Sequence, residues 1–298
     1  MKGTTALATI AGLALWYTIN SGPSIKDTAE KRYPLKPKMQ VEHADYVSKS
    51  GLEVSIDNSL KPNNSHQLDV NDVDFSEHFT IKTDRYNLVK DDDWWISQKI
   101  GVIGSLPSKL FFWDWDIGRG EDDQTTRSVL AMLEYNKDVK NITVRLNHNR
   151  VWKDLGRLFI DDKVTKRNGF LARVLMGVPT ILSGELLAEL TRSDYYNSMT
   201  QTVVTYSNLE SIAGHEIGHH RDFQRFDRDW IYSLTRLLPP VMLYQEWTAS
   251  KISDKMLAEQ DSNQFNRYLI PAFLTYCFAA YGAMRKYKKA YEKFIDSR

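Results

Sequence analysis

Cysteine is nearly absent from this sequence, since Cys277 is the only one in 298 residues. The chain therefore has no internal disulfide framework and no zinc site built from thiolates. Charge of one sign is also missing, because 39 lysines and arginines balance 38 aspartates and glutamates to a net charge of +1. With no strong basic block in the body of the chain, the composition argues against a nucleic-acid partner. Either redox compartment remains open.

Charge is also absent from a long segment near the start of the chain. Residues 3–25 are uncharged, and their apolar centre Ala6–Ile19 follows Lys2. We predict a signal peptide or an N-terminal membrane anchor over residues 1–25, with a buried helix as the alternative. The basic residues from Lys26 to Lys38 would face the cytoplasm if the segment is retained. The sequence thus predicts a membrane-associated or exported protein and leaves the side of the membrane open.

Large apolar residues are then scarce up to about residue 78. Prolines interrupt residues 26–78, and the run from Asn58 to Asp74 is mostly polar. This composition predicts a linker or loosely ordered arm. The folded domain is expected to cover residues 79–298.

Within that domain the patterns alternate between strand and helix. Residues 109–115 (KLFFWDW) are aromatic-rich and predict a strand, and residues 124–136 have helical periodicity. Residues 141–147 and 197–206 alternate apolar and polar positions, which predicts two further strands. We expect an α+β fold with a small sheet and a mostly helical C-terminal part.

Two longer apolar stretches have alternative interpretations. Residues 169–190 predict core packing in two short helices broken at Pro179, or a flap that faces lipid or substrate. Residues 268–284 are uncharged and precede a basic tail. They predict a buried helix in preference to a second membrane span, because Pro271, Gly282 and several tyrosines weaken a lipid-exposed interpretation.

One short motif carries candidate chemistry. We predict that Ser207 caps a helix, with Glu210 completing a capping box. In that helix His215 and His219 lie four residues apart on one face, where two imidazoles can bind one zinc ion. Glu216 beside them can act as a general base on a metal-activated water. Gly214 and Gly218 would allow another backbone to approach this helix closely.

A third ligand is needed. A histidine at the HExxHxxGxxH position is excluded because Arg225 occupies it, and Asp222 lies too low on the same helix to converge on the metal. Glu246 is the best candidate. Pro239-Pro240 should end one helix, and a second helix from about residue 241 to 259 would place Glu246 on an apolar face, where a carboxylate is costly unless paired.

This combination resembles the gluzincin zinc metallopeptidases, whose HExxH motif is followed by a glutamate on a later helix. The resemblance covers about residues 197–254 and implies a zincin-like domain in which the strand 197–206 is the edge strand that pairs with a peptide substrate. It implies one Zn²⁺ ion held by His215, His219 and Glu246, with Glu216 as catalytic base. The chain would then be an endopeptidase acting on a peptide or protein.

The chain departs from this family at residue 250. The family usually has Asp at that position, bonded to a ligand histidine, and here Ser250 or Asp254 would have to take its place. The alternative function is therefore a catalytically weak or inactive relative that acts as a membrane-associated binding or chaperone module. An oxyanion donor could be His220, Tyr244, Arg267 or Tyr276, and spacing does not choose among them.

Overall fold

The computed structural model describes residues 40–42, 45–48, 53–54, 67–69, 75, 78–91, 103–114, 117–118, 120–147, 150–226, 229–257 and 264–296. The predicted signal or anchor over residues 1–25 lies outside these residues. The fold is mixed α+β. The strands are β1 Gln40–Glu42, β2 Asp45–Ser48, β3 Glu53–Val54, β4 Gln67–Asp69, β5 Phe79–Lys82, β6 Tyr86–Lys90, β7 Ile142–Leu146, β8 Tyr195–Asn197 and β9 Thr202–Thr205.

The helices of the described residues all come after β6 in the chain. They are α1 Leu106–Phe112, α2 Asp123–Tyr135, α3 Val151–Ile160, α4 Asp162–Arg167, α5 Phe170–Thr191, α6 Glu210–Phe223, α7 Asp229–Thr235, α8 Pro239–Leu257 and α9 Ile270–Asp296. A π-helical turn, Phe265–Leu269, leads directly into α9.

Among the described residues, seven strands form one mixed sheet in the order β3-β2-β5-β6-β7-β9-β8. The pairs β6–β7 and β7–β9 are parallel, and the others are antiparallel. A parallel pair needs a crossover, and the chain supplies one through α1 and α2 and another through α3 to α5. Strands β1 and β4 form a separate antiparallel pair.

The sheet includes short strands that precede the predicted domain start at residue 79. Strand β2 pairs with β5, and β3 pairs with β2, so part of the segment expected to be a linker extends the sheet. The prolines that suggested an arm lie outside these short strands. Interrupted segments of two to four residues leave too little alternation to be recognised as strands.

The core lies between the sheet and two helices. Leu88 of β6, Val144 of β7 and Val203 of β9 are fully buried against Leu130 of α2 and Ile217 of α6. The predictions of α2 and β7 are confirmed, because each carries the apolar period of its structure. Helix α6 thereby has one side fixed on the sheet and the other free for α8.

The predicted strand at residues 109–115 is wrong, since α1 occupies Leu106–Phe112. Pro107 lies in the first turn, where its missing N–H costs nothing. Phe112 packs on Tyr268 with ring centroids 5.8 Å apart. Trp113 ends the helix with a left-handed φ of 51°. Tertiary contact with the π-helical turn before α9 thus overrides the aromatic preference for strand.

Helix α5 corrects two expectations. It is continuous through Pro179, because wide π-helical turns at Arg173–Gly177 and Ile181–Glu185 flank the proline and absorb its missing hydrogen bond. It is also not a core helix, since only 17% of its most apolar window is buried. By length and hydropathy alone, α5 is the one helix among the described residues that could cross a membrane.

Candidate metal centre

Helix α6 begins later than its sequence predicts. Leu209 occupies the cap position without a side-chain bond, so the predicted capping box is wrong. Ser207 instead donates its backbone N–H to Asp194 at 3.1 Å and also bonds this carboxylate through its hydroxyl. Glu210 accepts from Ser128 at 2.6 Å. Both polar groups are recruited by neighbouring elements, which fixes the start of α6 against α2 and the segment before β8.

Two glycines let α6 and α8 approach closely. A Cβ atom at Gly218 would lie 2.6 Å from the carbonyl oxygen of Ala249, and one at Gly214 would lie 2.7 Å from Oγ of Ser253. The expectation that Gly214 and Gly218 admit the helix of Glu246 is confirmed. Because α8 starts at Pro239, close to the predicted residue 241, this contact places Glu246 beside the HExxH histidines.

The three expected ligands meet at one point. Nε2 of His215 lies 3.2 Å from Oε2 of Glu246, and Nε2 of His219 lies 3.4 Å from Oε1. One donor atom from each of the three residues lies within 4.8 Å of the other two, and all three residues are buried. Two imidazoles and one carboxylate from two helices are a donor set suited to a tetrahedral divalent metal with one open position.

Hydroxyl groups orient both imidazoles from behind. Ser250 donates its only hydroxyl proton to the carbonyl of Glu246 at 2.8 Å, so its oxygen accepts from Nδ1–H of His215 at 3.1 Å. Nδ1 of His219 shares a hydrogen bond of 3.0 Å with the hydroxyl of Tyr232 on α7. Both Nε2 atoms therefore point at Glu246, which is how supporting hydrogen bonds prepare histidines for a metal.

Arg236 is a site residue that sequence reasoning missed. Its guanidinium donates to Oε1 of Glu246, and Oε2 is left facing His215. The arginine follows α7 and comes three residues before the proline pair, which was interpreted only as a helix break. No spacing rule would have linked it to the motif, because α7 folds back across the site. Tyr232, one turn earlier, was missed for the same reason.

Burial and ion pairing shift the pKa values of these groups in different directions. Burial opposes the charged form of Glu246, but His219 and Arg236 hold its pKa well below the usual range. Burial also opposes protonation of His215, yet Glu246 raises the pKa of this imidazole. For His219 burial prevails and lowers the pKa to about 4. Without a metal, Arg236 thus supplies the permanent positive charge that holds the carboxylate as an anion.

Glu216 lies between two cavities. One, of about 160 Å³, is lined by His215, Glu246 and Ser250, and the other, of about 190 Å³, by His219 and Arg236. Glu216 and Tyr276 line both cavities, so they flank a cleft that continues past the ligand set. Burial raises the pKa of Glu216 to about 7, where a carboxylate can both accept and release a proton near neutrality.

The other two acidic candidates, Asp254 and Asp222, do not belong to the ligand set. Asp254 is half-buried beside Lys251 and Lys255. Of the two residues considered for supporting a histidine, Ser250 is therefore the one in contact. Asp222 is buried and forms an ion pair of 3.5 Å with Arg225.

Of the four possible oxyanion donors, Tyr276 lies at the site. The negative charge of Glu246 raises the pKa of this phenol, which keeps its proton for donation. His220 bonds the carbonyl of Lys140 at 2.8 Å behind the helix, Tyr244 is exposed, and Arg267 forms an ion pair of 3.3 Å with Asp114. Residues 268–284, predicted to be a buried helix, are helical but mostly only partly buried, and Ala272, Phe273 and Tyr276 of α9 line the site.

The expected edge strand is also shifted. Residues 197–206 form parts of two strands, and β9 lies inside the sheet between β7 and β8. In the described part of the chain the outermost strand on this side is β8, whose Tyr195 and Tyr196 line the second cavity. A turn at residues 198–201 splits the predicted strand, and its polar side chains mimic the alternation of a strand.

Comparison with known proteins finds no family model, no curated protein and no solved structure that matches this chain.

Proposed function

We propose that this chain is a zinc-dependent endopeptidase with a gluzincin-type site in a zincin-like domain. The observation that carries the proposal is the buried set of His215, His219 and Glu246, with Glu216 in the same cleft. A zinc ion with a purely structural role has no need of an adjacent free carboxylate. The order of sheet, HExxH helix and glutamate helix agrees with the resemblance.

The donor set fits zinc. Neutral imidazole and carboxylate ligands, arranged with support from Ser250 and Tyr232, are those of catalytic zinc sites. When bound, zinc would polarise the scissile carbonyl and lower the pKa of a water molecule. Arg236 competes for one oxygen of Glu246 only, so the other oxygen remains for the metal.

The chain's own groups perform the proton transfers. Glu216 takes the proton from the attacking water and passes it to the leaving amine, which requires a carboxylate that titrates near neutrality. Tyr276, protonated beside Glu246, donates to the oxygen that develops negative charge. Because the two cavities continue on either side of Glu216, an extended peptide fits with residues on both sides of the scissile bond.

Strand β8 would pair with the peptide through backbone hydrogen bonds. It is the outer strand of the sheet beside the cleft, and a substrate lying along it would add one strand by backbone hydrogen bonds. The strand is only three residues long. Side-chain contacts in the two cavities would therefore contribute much of the selectivity.

Metal analysis and peptide hydrolysis of the purified chain test this function together. We expect one zinc per chain, and Glu216→Gln should keep the zinc while losing hydrolysis by roughly 10²–10⁴-fold. Asp222→Asn, a carboxamide substitution on the same helix, should keep both and serves as the matched control. Zinc without cleavage of a broad peptide library would favour the binding or chaperone module. A chain that binds no metal would refute the ligand set.

A further inference from the structure

Helix α5 presents an apolar surface that nothing in the described part of the chain covers. Between Arg173 and Glu189 its single charged residue is Glu185, which is buried. Its exposed large side chains include Phe170, Leu171, Leu175, Leu182, Leu187 and Leu190. An uncharged face of this length exceeds the scattered apolar residues of an ordinary protein surface.

The same surface continues onto two neighbouring helices. Phe170 packs against Phe159 of α3 with ring centroids 6.3 Å apart. At the other end, a Cβ atom at Gly104, just before α1, would lie 2.8 Å from the carbonyl oxygen of Leu190. Trp152 of α3 and Trp113, the residue that ends α1, are 75% and 84% exposed. We call α5 with the exposed sides of α1 and α3 the apolar face.

Helix α5 is long enough to cross a bilayer, but its inner side is held by the domain. Ile181 packs with Leu158 and Met199, and Glu185 accepts a hydrogen bond from Asn197 of β8. A spanning helix would have to lose these contacts and bring Glu185 into hydrocarbon. The outer side alone is free, so the geometry is that of a helix lying in the plane of an interface.

Positive charge on α3 indicates what kind of surface the apolar face would meet. Lys153 and Arg157 lie on the side of α3 next to Trp152 and the exposed Ile160, by helical geometry. They line a cleft of about 300 Å³ together with Arg145, Arg150 and Lys163. Because Arg145 and Arg157 pair with Asp154 and Arg150 pairs with Asp91, the exposed Lys153 and Lys163 supply the positive charge at this edge. Apolar and basic stripes side by side suit the acyl boundary and the phosphate headgroups of a membrane. The uncharged segment at residues 3–25, expected to anchor the chain, agrees with this partner.

We propose that the apolar face docks on the surface of a phospholipid bilayer and brings the mouth of the cleft to the membrane. The cleft is adjacent, because Thr191 and Arg192 at the end of α5 line its first cavity and Thr180 lines the second. Its substrates are then polypeptide segments that lie on or emerge from the bilayer. This substrate class rests on the proposed peptidase function, whereas the docking does not.

The test places a reporter on the apolar face of the full chain. In a Cys277→Ser background, a polarity-sensitive fluorophore is attached at Leu175→Cys or Leu187→Cys. The matched control is Lys137→Cys, exposed in the turn after α2, because α2 packs with α6 in a core cluster separate from that of α3 and α5. With vesicles of phosphatidylcholine and phosphatidylglycerol, the α5 reporters should shift to the blue and be quenched by nitroxide-labelled lipid. The Lys137→Cys reporter should do neither.

Two outcomes would overturn the docking. An α5 reporter that stays in water while the chain sediments with vesicles would show that the N-terminal segment alone holds the protein. A blue shift without lipid that grows with protein concentration would assign the face to a second copy of the chain.

The substrate class has a separate test. The double variant Leu175→Glu/Leu187→Glu should hydrolyse a soluble peptide at the wild-type rate and lose roughly tenfold or more on the same peptide tethered to vesicles. Equal losses on both substrates would refute it. If the wild type cleaves neither peptide, the proposed peptidase function fails, and the fluorescence result still decides the docking.

Discussion

Replacing Ser250 tests whether a hydroxyl can support the ligand His215. In Ser250→Ala the imidazole loses the oxygen that accepts its Nδ1–H at 3.1 Å. A neutral hydrogen bond of this kind contributes about 1 kcal/mol, and loss of a supporting partner weakens metal binding by roughly 10–100-fold. Because the bond is neutral and of ordinary length, we expect the lower end, a rise of about tenfold in the Kd for zinc.

The chain offers a matched control on the same helix. Ser253 is buried one turn after Ser250, and its hydroxyl also donates to a backbone carbonyl, that of Ser211 at 2.8 Å. Ser253→Ala therefore removes the same atom and the same kind of bond without touching a histidine. Zinc affinities of both variants and the wild type are measured by competition with a chromogenic chelator, and thermal unfolding of the metal-free proteins confirms folding.

One outcome of this comparison would refute the proposed role of Ser250. If Ser250→Ala and Ser253→Ala bind zinc equally well, the hydroxyl at 250 does not orient His215 and the interpretation of the site is wrong. Ser250→Asp should shift the affinity the other way, because a hydrogen bond to a charged acceptor is roughly twice as strong as a neutral one.

Further predictions concern packing, charge and pH. Gly218→Ala should destabilise the fold by roughly 1–3 kcal/mol and weaken zinc binding, because its Cβ meets the backbone of α8; Gly156→Ala, with open space around it on α3, should stabilise by about 0.5–1 kcal/mol in chemical denaturation. Arg236→Gln should lower the melting temperature of the metal-free protein more than that of the zinc-loaded one, since it strands the buried Glu246 carboxylate; equal losses would contradict this. Burial raises the pKa of Glu121 from 4.5 to about 8, so the folded state holds this proton more tightly. The free energy of unfolding should therefore fall by roughly 3–5 kcal/mol as pH rises through that window, and Glu121→Gln, followed by urea titration across pH, should flatten the fall.

Local patterns were reliable where a segment is long and its period is clear. The helix at α2 and the strand at β7 follow from spacing alone, and so does the start of a new helix at the proline pair, which lies in the first turn of α8 and not before it. Patterns failed where a neighbour overrides propensity. Tyr268 holds α1 as a helix despite its aromatic sequence, and Asp194 takes Ser207 away from the cap of α6.

The residues of the candidate site likewise fall into those that sequence spacing predicts and those that it does not. A spacing of four places His215 and His219 on one helix face, and the cost of burying an unpaired carboxylate singles out Glu246. Tyr232 and Arg236 could not be found from the sequence, because their contacts depend on how α7 crosses the end of α6. Choosing Ser250 over Asp254, and Tyr276 over three alternatives, likewise required positions in space.

The sequence by itself determined the α+β composition, the two histidines and the glutamate that can share a metal, and the glycines that admit a second helix. These features depend on covalent spacing and on the size of one side chain. Tertiary structure alone decided that α5 faces outward, that β8 is the outer strand beside the cleft, and which hydroxyl supports each histidine. Those outcomes depend on competition between distant segments for the same buried surface, and one-dimensional periodicity does not contain that competition.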